Sequence, residues 1–168
     1  RDNQGLSEYS IAANASAIYQ WDPVEMAATG TITVAAATDT LLGSINGVFY
    51  TDASTSKPTW ANHLNASNTA TDIVGFVSDD PYERFEIQSD GATATTDVGM
   101  NADIVYAAGS TPDYVSKVEL DHSDLKTATA QLRVLAISND PNNSTAGSAN
   151  VNLVVMINEH FLKGTVGI

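Results

Sequence analysis

Cysteine is absent from the 168 residues, which excludes disulfides, thiol catalysis and thiolate metal sites together. Positive charge is scarce. Seven Lys and Arg stand against twenty Asp and Glu, a formal charge of −13. The seven (Arg1, Lys57, Arg84, Lys117, Lys126, Arg133 and Lys163) are scattered, so no basic stripe exists to neutralise phosphates. Nucleic acid is therefore not an expected partner. The acidity serves solubility and self-repulsion, with a nearby cationic partner or a surface packed with identical copies as the sharper reading. No apolar run is long enough to span a bilayer, and no membrane partner is expected. No signal-peptide pattern opens the chain, which begins at Arg1 without a methionine. That is the form of a processed chain, or of one whose first residues lie outside the sequence.

Charged residues make up only 16%, while Ala, Thr, Ser and Asn abound, a balance that leans towards β structure. Alternation or apolar runs predict strands near residues 31–34, 42–45, 48–51, 72–77, 84–88, 104–107, 115–120, 132–138 and 151–158. Asn46-Gly47 lies between two of them, and this dipeptide predicts a two-residue type I′ hairpin turn. The last strand is apolar on one face and mixed on the other, which predicts a central or covered position. The five prolines fall where turns are expected.

Helix is minor. Asp22-Pro23-Val24-Glu25 carries helix-start signals, with Gly30 limiting it to about two turns. Leu125, Ala128 and Leu132 give a second weak helical spacing. The expected fold is mostly β: one antiparallel β-barrel or β-sandwich over residues 17–168, one or two short helices, and an extended N-terminal arm over 1–16. Residues 51–71 read as a long loop, anchored by Trp60.

No residue set points to a catalytic site or a cofactor. Asp121-His122-Ser123-Asp124 holds all three triad residue types, but a triad converges from separate segments, and these neighbours read as a polar turn. His63, His122 and His160 are too far apart for a short metal spacing. Asp79, Asp80 and Glu83, with Glu86 and Asp90 beyond them, form a weak Ca²⁺ candidate without EF-hand spacing; turn capping is their ordinary role. No pair of acids is singled out for glycoside hydrolysis. Asn14, Asn65, Asn142 and Asn143 head glycosylation tripeptides, which arise by composition in so Asn/Ser/Thr-rich a chain.

The wording of several segments carries more than their chemistry. Leu42-Gly43 leads to Gly47-Val48-Phe49-Tyr50-Thr51-Asp52. Asp79-Asp80-Pro81 precedes Phe85-Glu86-Ile87-Gln88-Ser89-Asp90-Gly91. Asp97-Val98-Gly99-Met100-Asn101-Ala102-Asp103, Gln131-Leu132-Arg133-Val134-Leu135 and the closing Val155-Met156-Ile157-Asn158-Glu159-His160 follow. Over about 41–160 the chain resembles head decoration, or cement, proteins of tailed phages, of the type common in marine phages. The resemblance implies a β-rich, non-enzymatic virion protein on the capsid exterior, with the major capsid protein as partner. It also implies a homo-oligomer, a trimer suiting local three-fold positions. A tail or fibre subunit and an extracellular carbohydrate-binding β-sandwich are the alternatives. Tyr9, Tyr19, Trp21 and Trp60 are the interface candidates, because aromatics dominate interface hot spots.

Overall fold

In the computed structural model, which describes residues 5–164, every regular element longer than a single 3₁₀ turn is a strand. In chain order these are β1 (Leu6–Ser10), β2 (Pro23–Met26), β3 (Ile32–Val34), β4 (Leu41–Thr51), β5 (Pro58–Ala61) and β6 (Val74–Ser78). There follow β7 (Arg84–Gln88), β8 (Asn101–Ala102), β9 (Ile104–Val105), β10 (Glu119–Leu120), β11 (Leu132–Ile137) and β12 (Asn152–Ile157). The pairings between strands are all antiparallel. One sheet runs β1-β6-β4-β2-β3 with β5 also on β4, a second runs β7-β12-β11-β8, and β9 pairs β10 alone. The mostly β class is as expected, and the arrangement is sandwich-like without a closed barrel.

Strand β4 is the spine of the first sheet. Its first residues pair with β2, its last with β5, and β6 runs along its other edge. The predicted hairpin at Asn46-Gly47 is therefore wrong, because β4 passes straight through it. Neither residue adopts the positive φ that a type I′ turn needs. Instead the β4–β6 register shifts between Ile45 and Gly47, a bulge at Asn46. Gly47 is needed for closeness rather than for φ: a Cβ there would lie 3.0 Å from the Ala61 carbonyl oxygen of β5. Pairing with β6 along one edge, and with β2 before and β5 after the dipeptide on the other, outcompetes the local turn preference.

The predicted helix at residue 22 is also corrected. Pro23 opens strand β2, a place where its missing N–H does no harm, and Val24 is fully buried in the first core. Residues 125–132 form no helix either. A 3₁₀ turn at His122–Asp124 precedes them, and Leu132 opens β11. The long-loop expectation for 51–71 missed β5. The extended segment at the N-terminus is, over Leu6–Ser10, an edge strand on β6 of the same chain. Deleting residues 1–16 would thus strip a strand from the sheet; residues 1–4 lie outside the described residues.

Two apolar clusters hold the layers. The first gathers Val24, Ile32, Leu42, Ile45, Val48 and Val77 under the segments that carry Ile11, Ile18, Leu64 and Ile73. The second joins Val134, Leu153, Val155 and Ile157 to Ile104, Leu120 and, from the first sheet, Leu41. Leu41 is where the two sheets meet, and its N–H donates to the Glu159 carbonyl at 3.0 Å. The fully buried Gln131 adds a further tie: its Nε2 donates to the Ala36 and Asp39 carbonyls at 2.8 and 2.7 Å, and its Oε1 accepts from Ile104 N–H at 3.0 Å. β12 is central, between β7 and β11, as its two-faced pattern predicted.

Candidate functional site

Between the two sheets opens a cleft of about 860 Å³, within the size range of ligand and peptide sites. Leu41 and Gly43 of β4 line one wall, Phe85 and Ile87 of β7 the other, and Ile104, Val155 and Ile157 are among its apolar residues. Arg84 and Lys117 also line it, as do Glu86 and Glu119, so its charged lining is balanced; neither cation makes an ion pair with any described residue. Over Arg84–Gln88, β7 has one ladder partner, β12. Beyond Gln88 its other side meets β10, where Ser89 bridges Leu120 and the Asp90 N–H donates to the Leu120 carbonyl at 3.0 Å. Only the Arg84–Gln88 stretch lacks a ladder partner there, the condition for accepting an added strand.

Trp21 stands at this cleft, 58% exposed, with φ +70°. A bulky residue in the left-handed region costs about 1–3 kcal/mol and persists only when its surroundings hold it. They do so here. Trp21 N–H donates to the Ile45 carbonyl at 2.7 Å, and Ser44 Oγ donates to the Trp21 carbonyl at 3.2 Å. The adjacent Asp22 is fully buried and accepts the Tyr19 N–H through Oδ2 at 2.8 Å, closing the turn that presents Trp21. Burial pushes the Asp22 carboxyl above its ordinary range, only partly offset by the nearby Ser116 and the Tyr19 N–H. Its Oδ1 has no partner among the described residues.

The four interface candidates separate into two kinds. Tyr9 packs against the first core and donates its hydroxyl to Asp79 Oδ2 at 2.6 Å; burial, then Asp79, pushes the phenol well above its ordinary range. Tyr19 stacks on Tyr114 with ring centroids 6.3 Å apart. These two are occupied inside the fold. Trp21 and Trp60 are open to solvent, and Trp60 is 62% exposed.

Trp60 heads an aromatic group on the first sheet, its ring centroid 4.5 Å from Phe76 and 6.5 Å from Phe49. Sequence reading missed Phe49 and Phe76 as its neighbours because β5 was read as loop. It also missed Gln20, Asn46 and Asn62, whose carboxamides link side by side in the structure. The one available signal was Trp60 and Asn62 at strand spacing, two residues apart.

The acidic candidates are spread among protein donors. Asp79 accepts from Ser7 and Tyr9, Asp80 Oδ1 accepts the Tyr82 N–H at 2.8 Å, and Glu83 accepts from Ser78. Among the described residues no group of three or more His, Asp or Glu gathers as a metal site. The Asp121–Asp124 segment is a capped 3₁₀ turn. Asp121 accepts from Ser123 N–H at 2.8 Å, His122 N–H donates to Asp90, and Lys126, 2.7 Å from Asp124, holds that carboxyl below its usual range.

His160 is buried, with Nδ1 accepting the Leu162 N–H at 3.0 Å and Nε2 without a partner among the described residues. Burial, helped by Lys163 and opposed by Asp79 and Asp80, holds its pKa below the ordinary histidine value. A base with a depressed folded pKa takes up its proton preferentially when unfolded. Stability should therefore fall as pH drops below about 6.5, the unfolded value. His63 shifts in the same sense through burial, so the informative measure is a difference. In urea titrations from about pH 7.5 to about 5.5, on either side of the unfolded value, His160→Gln should show a shallower loss of stability than wild type. Parallel curves would remove His160 from the account.

Comparison of the chain with protein-family models, with curated proteins and with solved structures finds no match in any of the three.

Proposed function

We propose that this chain is a structural protein of a tailed-phage virion that decorates the capsid exterior and stabilises the head by bridging capsomers. The reading rests on the resemblance of residues 41–160 to head decoration proteins and on one structural observation, the conformation of Trp21. A large apolar side chain held more than half exposed, on a left-handed backbone, adds nothing to the fold that a smaller residue would not. Its gain comes from burial in a partner. Aromatic anchors beside a groove are the usual centres of interface energy.

The partner in this reading is an extended segment of the major capsid protein, laid along the open edge of β7. Alternate apolar side chains enter the cleft, and polar groups of both signs meet Arg84, Lys117, Glu86 and Glu119. The chain acts by association, in many copies, as a homo-oligomer on the virion surface. A stable contact of this kind buries about 1,000 Å² or more.

Copy number on purified virions, by quantitative proteomics or cryo-EM, tests the reading. Hundreds of copies on the head support it; a handful confined to the tail would sink it and favour a tail or fibre subunit. Trp21→Gly sharpens the test, since glycine accepts φ +70° without strain. The variant should keep or raise its thermal midpoint while its occupancy on heads falls about tenfold or more, as expected for an interface anchor.

A further inference from the structure

The first sheet carries a second feature beside the Trp21 turn, since Gln20 precedes Trp21 and Asn46 follows Ile45, but none of Gln20, Asn46, Trp60 and Asn62 lines the cleft. Trp60 sits on β5 opposite Phe49 of β4, with Phe76 of β6 supporting one side of its ring. At 62% exposure the indole is open to an incoming flat surface. Gly47, with no side chain, lies against the ring: a Cβ built there would be 3.8 Å from both Cζ2 and Nε1 of Trp60. The indole N–H edge thus stands over the β4 bulge, next to Asn46.

Three carboxamides meet at the same place. Gln20 Nε2 donates to Asn46 Oδ1 at 3.4 Å, and Asn62 Nδ2 donates to Gln20 Oε1 at 3.5 Å. Both bonds are at the long limit, where a hydrogen bond contributes little and is readily exchanged. His63 fixes the end of the row, its Nδ1 donating to Asn62 Oδ1 at 2.8 Å while its ring stacks on Tyr114 at 3.7 Å. Spare capacity remains. Asn46 Nδ2 and Trp60 Nε1 have no partner among the described residues, and each carboxamide carries two donors and two acceptor sites.

An aromatic face beside a row of loosely joined, uncharged amides matches one ligand chemistry. A pyranose ring offers an apolar C–H face to stack on an indole. Its neighbouring hydroxyls, each both donor and acceptor, fit the donor–acceptor edge of a carboxamide. None of Gln20, Asn46, Trp60 and Asn62 is charged, in a chain of formal charge −13 whose field disfavours anionic polymers. We propose that this patch is a binding site for a neutral glycan, one sugar face on Trp60 and its hydroxyls on Gln20, Asn46 and Asn62. The site is separate from the Trp21 cleft and holds whether or not that cleft docks a capsid segment.

Affinity electrophoresis through gels containing dextran, mannan or galactan, together with titration by soluble chitooligosaccharide, tests it. Trp60 and Trp21 are the two tryptophans, so Trp21→Phe leaves Trp60 as the sole indole reporter. At least one of these glycans should retard the protein and shift Trp60 emission to the blue. Trp60→Ala should weaken that binding about tenfold or more, the scale of one lost stacked ring with its burial. Should Trp60→Ala lower the thermal midpoint, the double variant Asn46→Ala with Asn62→Ala carries the test, again with weakened binding expected. Retention by none of the four probes would overturn the proposal, as would equal retention of all the variants. Loss of head occupancy on Trp60→Ala without any glycan binding would also overturn it, and would assign the patch to a protein partner. Arg84→Ala, on β7 and away from the carboxamide row, should leave glycan retention unchanged while lowering head occupancy, so failure of the capsid reading and failure of this one are told apart.

Discussion

Gln131→Leu is expected to lower the unfolding free energy by about 3 kcal/mol, although the substitution nearly conserves volume. Gln131 is fully buried at the junction of the two sheets, where one side chain serves three backbone groups. Leucine leaves the Ile104 N–H with no acceptor in a buried position, and an orphaned buried donor costs about 1–3 kcal/mol. The Ala36 and Asp39 carbonyls lose their shared donor as well, though partial exposure lets water recover some of that loss. Urea denaturation of the two proteins measures the difference. A change below about 1 kcal/mol would mean that the junction repacks or hydrates without penalty. Gln131→Glu is a useful companion: it keeps the acceptor for Ile104 but sets a carboxylate against two carbonyl oxygens, so it should be at least as damaging.

Gly43→Ala should be comparably severe for a different reason. A Cβ on Gly43 would stand 2.0 Å from the Ser78 carbonyl oxygen and 2.9 Å from both the Ser78 carbonyl carbon and Val77 Cγ1. The nearest obstacle is the backbone of β6, so rotamer changes cannot relieve it. β4 and β6 must separate where Ser44 pairs Ser78 and Ile45 pairs Val77, which opens the first core beside the buried Val77. A loss of about 3 kcal/mol is expected, at the upper end of overpacking effects. Gly75→Ala is the control on the same sheet. Its Cβ would meet the Cδ1 ends of Ile11, Ile32 and Ile45, flexible tips that can yield. Thermal denaturation should rank Gly43→Ala well below Gly75→Ala; the reverse order would contradict the close β4–β6 approach.

The elements legible in the sequence share a physical trait. β7 and β12 alternate cleanly, and β11 does so as far as Val134, where its register to β12 shifts; their ends coincide with turn residues. β4 was cut in two because Asn46-Gly47 is a turn signal in isolation, whereas here β6 runs along one edge and β2 and β5 hold β4 on either side of it. β2 carried a helix-start signal that the burial of Val24 overrode. β1 and β5 are edge strands, with little apolar alternation to reveal them.

The candidate surfaces were legible only as residue types. Tyr9, Tyr19, Trp21 and Trp60 are equivalent in a sequence, since each is an amphipathic aromatic that suits a core or an interface. Packing distinguished them, giving Tyr9 the carboxylate of Asp79 and Tyr19 the ring of Tyr114 while leaving both indoles outside. Gln20 and Asn46 carried no signal in an Asn-rich chain, and Asn62 only its spacing from Trp60, because their meeting depends on the bulge in β4 and the course of β5.

Composition and local alternation were enough to specify a cysteine-free, acidic, mostly β protein, because side-chain period and charge are properties of short stretches. The chemistry of its two exposed indoles was decided elsewhere. A left-handed turn stapled to β4 at Ile45 aims Trp21 at the inter-sheet cleft, and the bulge at the next residue of β4 sets Asn46 near Trp60. Both arise from pairings between residues distant along the chain, and such contacts exist only once the sheets have formed.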